Sequence, residues 1–327
     1  MAIGVAVIGC GLIGNKRIAA LPQGTRLVSV TDLDRSRAEK AAAQVPYEVQ
    51  VADSAEEAVA ADGADLAVVA VVHADLAAAT LVALEAGCHV LVEKPGGRAL
   101  EDLEVIQEGA ARSRRRVRVG FNHRFHPGVL KARELLRGDD AGELIYVRAR
   151  YGHGGRPGYE SEWRSNREVS GGGELLDQGM HLIDLTRFLI GDVDLAFVEL
   201  RTDFWKTSVE DNAYLALRPR AGGFAWLHTS WTEWKNIFSL EIAHARRKIE
   251  MFGLGGSYGT ERLTCYQMLP EMGPPATTAW EWPQPDRSWA RELEDFISTL
   301  RDGTEGIGAE PADAAAAFAI VEEAYET

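Results

Sequence analysis

The chain has 327 residues, enough for two domains at roughly 100–200 residues each. Apolar residues make up 46% and charged residues 26%, so a core can form without disulfide staples. Lys and Arg number 35 against 49 Asp and Glu, a net charge of −14 that weighs against a nucleic-acid backbone or an anionic membrane as general partner. A small anionic ligand stays open, because one pocket can be basic in an acidic protein. Cys10, Cys88 and Cys265 are odd in number and widely spaced, which fits reduced thiols in a cytoplasmic setting. The apolar start, Ile3 to Ile8, lacks the basic flank of a leader, since Lys16 and Arg17 come after it. No segment reaches the roughly 18 apolar residues of a membrane span.

The first 120 or so residues alternate strand and helix. Strands are expected at 3–8, 26–31, 48–51, 65–72, 88–92 and 116–121, with helices at about 12–21, 34–44, 55–61, 74–86 and 99–112. Short apolar runs separated by helices imply a parallel sheet covered on both faces. After Asn122 the rhythm changes. A helix at 128–137 and a strand at 143–152 precede a loop at 153–173 and a helix at 174–190. Strands at 194–205, 209–218, 223–233, 236–243 and 247–253 follow one another, as in an antiparallel sheet. The Gly- and Pro-rich stretch 254–286 is read as irregular, and helices at 287–301 and 311–325 end the pattern. The fold class is therefore α/β, with a parallel N-terminal domain over 1–121 and an α+β domain over 122–327 whose terminal helix can pack back on the first.

Gly9-x-Gly11-x-x-Gly14 is weak evidence alone. Here it follows a strand, opens a helix and has Asp32 ending the next strand, 18 residues after Gly14. The glycines allow a tight turn, close approach of a pyrophosphate and close helix–strand packing. The helix N-terminus, with Leu12 and Ile13 in its first turn, then offers N–H donors to the anion. Asp32 can accept ribose hydroxyls and repels a 2′-phosphate, which favours NAD. Arg35 and Arg37 leave NADP possible, unless they are solvated charges at a helix start.

Glu93-Lys94-Pro95 follows the strand ending at 92, where ligands of open parallel sheets bind. A lysine there can donate to a substrate oxygen and stabilise developing alkoxide charge, or it is an ordinary surface lysine. Further on, Gly171-Gly172-Gly173 feeds a helix in which Asp177, His181 and Asp184 are spaced i, i+4, i+7, on one face. A carboxylate one turn from an imidazole suits a general base. A metal on that face lacks a third nitrogen or sulfur ligand in the sequence. Buried structural contacts are the bland alternative, which Asp184 fits best.

The glycine motif, Asp32, Glu93-Lys94-Pro95 and GGGELLDQGMHLID together resemble the glucose–fructose oxidoreductase/inositol dehydrogenase (Gfo/Idh/MocA) family over nearly the whole chain. The resemblance implies a Rossmann domain joined to an α+β domain with a large open antiparallel sheet. It implies NAD(P)-dependent hydride transfer at a sugar or cyclitol carbinol, with Lys94, Asp177 and His181 at the catalytic positions and a cis Lys94–Pro95 bond. It places cofactor contacts at Gly9, Gly11, Leu12, Ile13, Gly14, Asp32, His73, Glu93 and Lys94. One departure is Val71-Val72-His73-Ala74, where many members carry a Ser/Thr-Pro turn. His73 then either approaches the nicotinamide ribose or caps a helix.

The substrate candidates are Asn122 and Arg124 after the last parallel strand, Arg156, Tyr159, Trp163 and Arg164 in the loop, and Asp177 with His181. Clustered arginines can pair with phosphate or carboxylate, and aromatics suit a sugar face. A solvated loop carries equal weight. Alternation sends Trp226 and His228 to one sheet face and Leu227 and Thr229 to the other. The resemblance makes that sheet a dimer or tetramer interface. A looser likeness at Gly255–Thr260 points to activated or amino sugars. The expected substrate is a nucleotide-linked sugar or an amino-sugar glycoside, attacked at a ring carbon taken as C3. An inositol or free-sugar dehydrogenase, a non-catalytic NAD-dependent sensor, and a C–O lyase or glycosidase using NAD transiently stay open beside it.

Overall fold

The computed structural model describes residues 2–137, 139–271 and 273–327. It divides into two compact units, one running to Asn122 with Trp289–Ala316, the other His123–Ser288 with Ala317–Thr327.

The first unit alternates as its apolar runs require. Its elements are β1 (Ile3–Ile8), α1 (Leu12–Ala19), β2 (Thr25–Thr31), α2 (Arg35–Ala42), β3 (Gln50–Val51), α3 (Ala55–Val59), β4 (Ala64–Val69), α4 (Leu76–Glu85), β5 (His89–Glu93), α5 (Leu100–Ser113) and β6 (Val117–Gly120). The strands are parallel in the order β3-β2-β1-β4-β5-β6, the doubly wound Rossmann order, with its switch point between β1 and β4. Val5, Val7, Leu66, Val68 and Leu91 are fully buried, because helices cover both faces. Asp34 caps α2 through Ser36 N–H, and Ser54 caps α3 through Glu57 N–H.

Residues 289–316 return to this unit, so the division does not follow a single cut at 121/122. The cause is apolar. Leu293 and Phe296, one turn apart on α9 (Ser288–Asp302), join the core of Val5, Val7 and Leu27.

The second unit holds α6 (Pro127–Leu136), β7 (Leu144–Gly152), α7 (Arg167–Ser170), α8 (Met180–Ile190), β8 (Val193–Arg201), β9 (Asn212–Pro219), β10 (Phe224–Ser230), β11 (Ile237–His244) and β12 (Arg247–Phe252). Its remaining elements are β13 (Glu261–Gln267), β14 (Ala276–Trp282) and the end of α10 (Pro311–Glu326). Eight strands form one sheet, β14-β13-β12-β11-β7-β10-β9-β8. Two features correct the sequence reading. β13 and β14 lie in the stretch read as irregular, where Gly and Pro on their flanks hide two seven-residue strands, of which only β13 alternates. And β10 runs parallel to β7, Phe224 opposite Tyr146 through Ser230 opposite Gly152, inside an otherwise antiparallel sheet.

Alternation divides the sheet faces. Leu227 and Thr229 are fully buried, while Trp226 is 38% exposed. Ala132 and Leu135 of α6 and Leu189 of α8 pack on Ile249, Leu263 and Cys265 of the inner face.

Candidate active site

In the first unit, Gly9 has φ +94°, which an L side chain rarely adopts, and a Cβ there would meet Ala70 O at 2.4 Å. A Cβ on Gly14 would meet Gly9 O at 1.9 Å, so this glycine lets α1 lie on the turn. Gly11 differs, since a Cβ there would meet no atom within 4 Å. Gly11 is also the N-cap of α1, and no side chain caps it. The first-turn N–H groups, those of Leu12 and Ile13 among them, have no intrahelical acceptor. Asp32 holds its turn by accepting Cys10 N–H at 2.7 Å and Asp34 N–H at 2.9 Å, and stays partly exposed. Burial and the Asp32 charge push the Cys10 thiol up to about 12, so it is no nucleophile. An open approach at Gly11, an uncapped helix start and an accessible carboxylate fit a dinucleotide. Arg35 pairs with Glu39 and Asp53, and Arg37 with Asp34, so both behave as solvated helix-start charges.

His73 opens a short 3₁₀ turn (His73–Asp75) and is buried, and the N-cap position of α4 belongs to Asp75. The Lys94–Pro95 bond is cis. Glu93 is anchored from behind, because Arg17 Nε donates to its Oε1 at 2.6 Å. The same guanidinium donates to Glu292 Oε2 at 2.5 Å and lies over the Trp289 ring at 4.5 Å. Glu93, expected at the cofactor, is thus a strut for the turn bearing Lys94. Asn122 is buried at the start of a 3₁₀ turn (Asn122–Phe125).

In the second unit, the helix bearing Asp177 and His181 does not begin as an α-helix. Residues Leu175–Gly179 form a π turn that passes into α8. The i, i+4, i+7 spacing assumed 3.6 residues per turn, and the π turn departs from it at Asp177. Asp177 turns to the loop, where Arg164 Nε lies 3.2 Å from its Oδ2 and the guanidinium stacks on Trp163 at 4.5 Å. His181 is buried and lies flat on His123, with ring centroids 3.7 Å apart. Asp177, His181, Trp163 and Arg164 therefore belong to one neighbourhood of this unit.

Three substrate candidates have partners within the protein. Arg124 is buried and grips Asp184 with Nε and Nη2 at 2.9 and 2.5 Å, tying the turn after β6 to α8. That bidentate pair is the kind of buried structural contact that the bland reading of Asp184 describes. Tyr159 is buried in an apolar cluster with Val209 and Trp231. Burial raises its phenol pKa, so the hydroxyl keeps its proton. Arg156 is exposed and bound to Glu162 at 2.7 Å.

The sequence reading gave no role to Tyr151, Tyr258 or Gln178, while His123 lies in the polar cluster 122–126 that the resemblance ties to substrate binding. Tyr151, on β7, lies 3.0 Å from His123 Nε2 through its hydroxyl. Its ring sits 4.9 Å from that of Tyr258, with which it shares a hydrogen bond. Gln178 Nε2 reaches the Tyr258 hydroxyl at 3.5 Å. Burial pushes Tyr258 up to about 12 and Tyr151 well above its usual value, so both remain neutral hydrogen-bonding groups. Only the stretch Gly255–Thr260, noted for its looser likeness, pointed toward Tyr258. Burial depresses His153, and its Nδ1 accepts Gly155 N–H at 2.9 Å.

Residues 3–121 match the model of the oxidoreductase family with NAD-binding Rossmann fold, and residues 129–258 match the GFO/IDH/MocA C-terminal domain. The chain is 29% identical to D-glucoside 3-dehydrogenase of Escherichia coli, over 69% of this chain and 70% of that protein. It is 29% identical to inositol 2-dehydrogenase of Gluconacetobacter diazotrophicus over 58% of this chain, and spans 55% of that relative's length. The WlbA dehydrogenase of Bordetella pertussis, solved with NADH and UDP-GlcNAcA, has a TM-score of 0.84 at 20% identity, covering 100% of this chain and 96% of that one. With both halves matched in order, the chain belongs to the Gfo/Idh/MocA family and is an NAD-dependent oxidoreductase.

Proposed function

We propose that the chain transfers a hydride between NAD and a ring carbon of a sugar, with C3 of a glycoside as the reacting position. NAD supplies the hydride acceptor when bound against Gly9–Gly14 and Asp32. The observation that carries the reading is the grouping of Asp177, Arg164 and the buried His181 around the π turn of the second unit. In this reading His181 takes the proton of the substrate hydroxyl as general base. Lys94 donates a hydrogen bond to the same oxygen and steadies its developing negative charge. Asp177 orients the sugar or His181, and Arg164 fixes Asp177. The C3 position draws on the likeness to D-glucoside 3-dehydrogenase.

The loop arginines favour an unphosphorylated glycoside over a nucleotide-linked sugar. Arg156 and Arg164, the candidates for phosphate, are paired with Glu162 and Asp177. A lone guanidinium would be needed to make phosphate recognition strong.

The test is absorbance at 340 nm with NAD⁺ and separate panels of glycosides, amino-glycosides, nucleotide sugars, free sugars and inositols. NADH growth confined to glycosides, with 3-keto products, supports the reading. Growth on nucleotide sugars or inositols alone overturns the substrate class. NADH binding without turnover on any panel points to a sensor. Lys94→Ala and His181→Ala should each lose roughly a hundredfold or more in kcat. Retained turnover in both would remove these residues from the chemistry.

A further inference from the structure

A strap of three glycines, Gly171 to Gly173, leads into the π turn that carries Asp177. The last turns of α10 fasten it. Tyr325 Oη donates to Glu210 Oε1 at 2.7 Å. The same carboxylate oxygen accepts the N–H groups of Gly173 and Leu175, each at 3.1 Å. Backbone completes the clamp, since Glu174 N–H donates to Glu210 O at 3.0 Å. On its other side, Gly173 O accepts the N–H of Asp177 at 2.9 Å.

The glycines are required by this packing. A Cβ on Gly172 would lie 2.1 Å from Tyr325 Oη, and one on Gly173 would lie 2.1 Å from Glu210 O. The Tyr325 ring also seats Arg167 at 5.2 Å, which opens α7 just before the strap. One tyrosine therefore touches Arg167 before the strap and the strap itself, where the Gly173 N–H also points at its hydroxyl at 3.3 Å. Glu210 is buried, and its burial raises its pKa while these donors oppose that shift. The hydroxyl of Tyr325 is pushed well above its usual value by burial and by Glu210, so it donates as a neutral phenol.

We infer that Tyr325 is a positioning residue for Asp177, acting through Glu210 and the glycine strap. The inference rests on the proposed role of Asp177. A carboxylate displaced by an ångström or less loses much of its orienting power, so a loosened strap lowers turnover without touching the dinucleotide motif.

The test compares wild type with Tyr325→Phe, Glu210→Gln and the double variant. Four readouts are taken: amide hydrogen exchange over residues 171–177, melting temperature, NADH dissociation constant, and kcat and KM on the glycoside oxidised. Tyr325→Phe should speed exchange at Gly173 and Leu175 and cut kcat about tenfold, with NADH affinity unchanged. Glu210→Gln should do the same, and the double variant should cost less than the sum of the two. Unchanged exchange in Tyr325→Phe overturns the inference whatever the activity. Faster exchange with unchanged kcat also overturns it. Equal losses in NADH affinity and kcat mark a general structural role and overturn it too. If Tyr325→Phe does not fold, Glu210→Gln decides by the same criteria. A wild type with no sugar oxidation would strike the dehydrogenase reading itself, and the exchange data would then show separately whether the clamp exists.

Discussion

His123 lies face to face with His181, their rings 15° from parallel, and is held from its edge by the Tyr151 hydroxyl at 3.0 Å. A second edge contact comes from His126, whose Nδ1 is 3.0 Å from Glu261 Oε2. His181 thus has a rigid aromatic floor. His123→Ala should lower kcat about tenfold with NADH affinity unchanged, because the imidazole loses its support. His123→Phe should recover part of the loss, since a ring face returns. Steady-state kinetics of both variants check this. Equal activity in all three proteins would make the stack incidental.

Arg17 is fully buried between two carboxylates, Glu93 and Glu292. Arg17→Met leaves both acids without their counter-charge, and should cost about 3–5 kcal/mol in urea unfolding. Glu292→Gln keeps an acceptor at one end and should cost less. A loss under about 1 kcal/mol for Arg17→Met would mean that other groups satisfy the acids.

Gly11 and Gly14 separate cofactor binding from folding. Gly11→Ala should leave unfolding of the cofactor-free protein unchanged and weaken NADH binding about tenfold or more, because its Cβ enters the space a pyrophosphate needs. Gly14→Ala should lower stability itself, since its Cβ strikes backbone at Gly9. Fluorescence titration with NADH and thermal melts of both variants distinguish the two effects.

His228 supplies a pH signature. Burial first, and then Arg150, depress its pKa from 6.5 to about 4. Between those values the unfolded chain binds the proton and the folded chain resists it. Its contribution is therefore fully present above about pH 6.5 and is lost as pH falls toward 4. His228→Gln should flatten that part of the stability profile. Urea midpoints at pH 5 and pH 7 measure the difference, and an unchanged difference would place the acid sensitivity elsewhere.

Much of the first unit is legible because its signals are local. Apolar runs, the glycines after β1 and Asp32 after β2 each act within a few residues. The Gly171–Gly173 strap, Asp177 and His181 were legible for the same reason. What escaped depends on distant pairing. Arg124 meets Asp184 sixty residues away, and His123 meets Tyr151 across 28. No pattern in either segment reveals whether a guanidinium faces a ligand or a carboxylate. The π turn escaped because a single wide turn leaves the apolar periodicity of α8 almost unaltered. β14 escaped because all seven of its residues are polar, small or aromatic at an edge, with prolines on both sides.

The parallel pairing of β7 and β10 has an evolutionary consequence. Parallel neighbours cannot be joined by a tight hairpin, and here the chain leaves the sheet after Gly152, rejoins it at Val193 and adds β8 and β9 before β10 begins at Phe224. That excursion contains the loop, the strap, Asp177 and His181. Its two ends are anchored in one sheet, on the central strand β7 and the edge strand β8. The excursion can therefore change length and chemistry as one cassette while the strands flanking it keep their register. A chimera exchanging residues 153–192 between relatives is expected to carry the donor's sugar preference into the recipient's sheet.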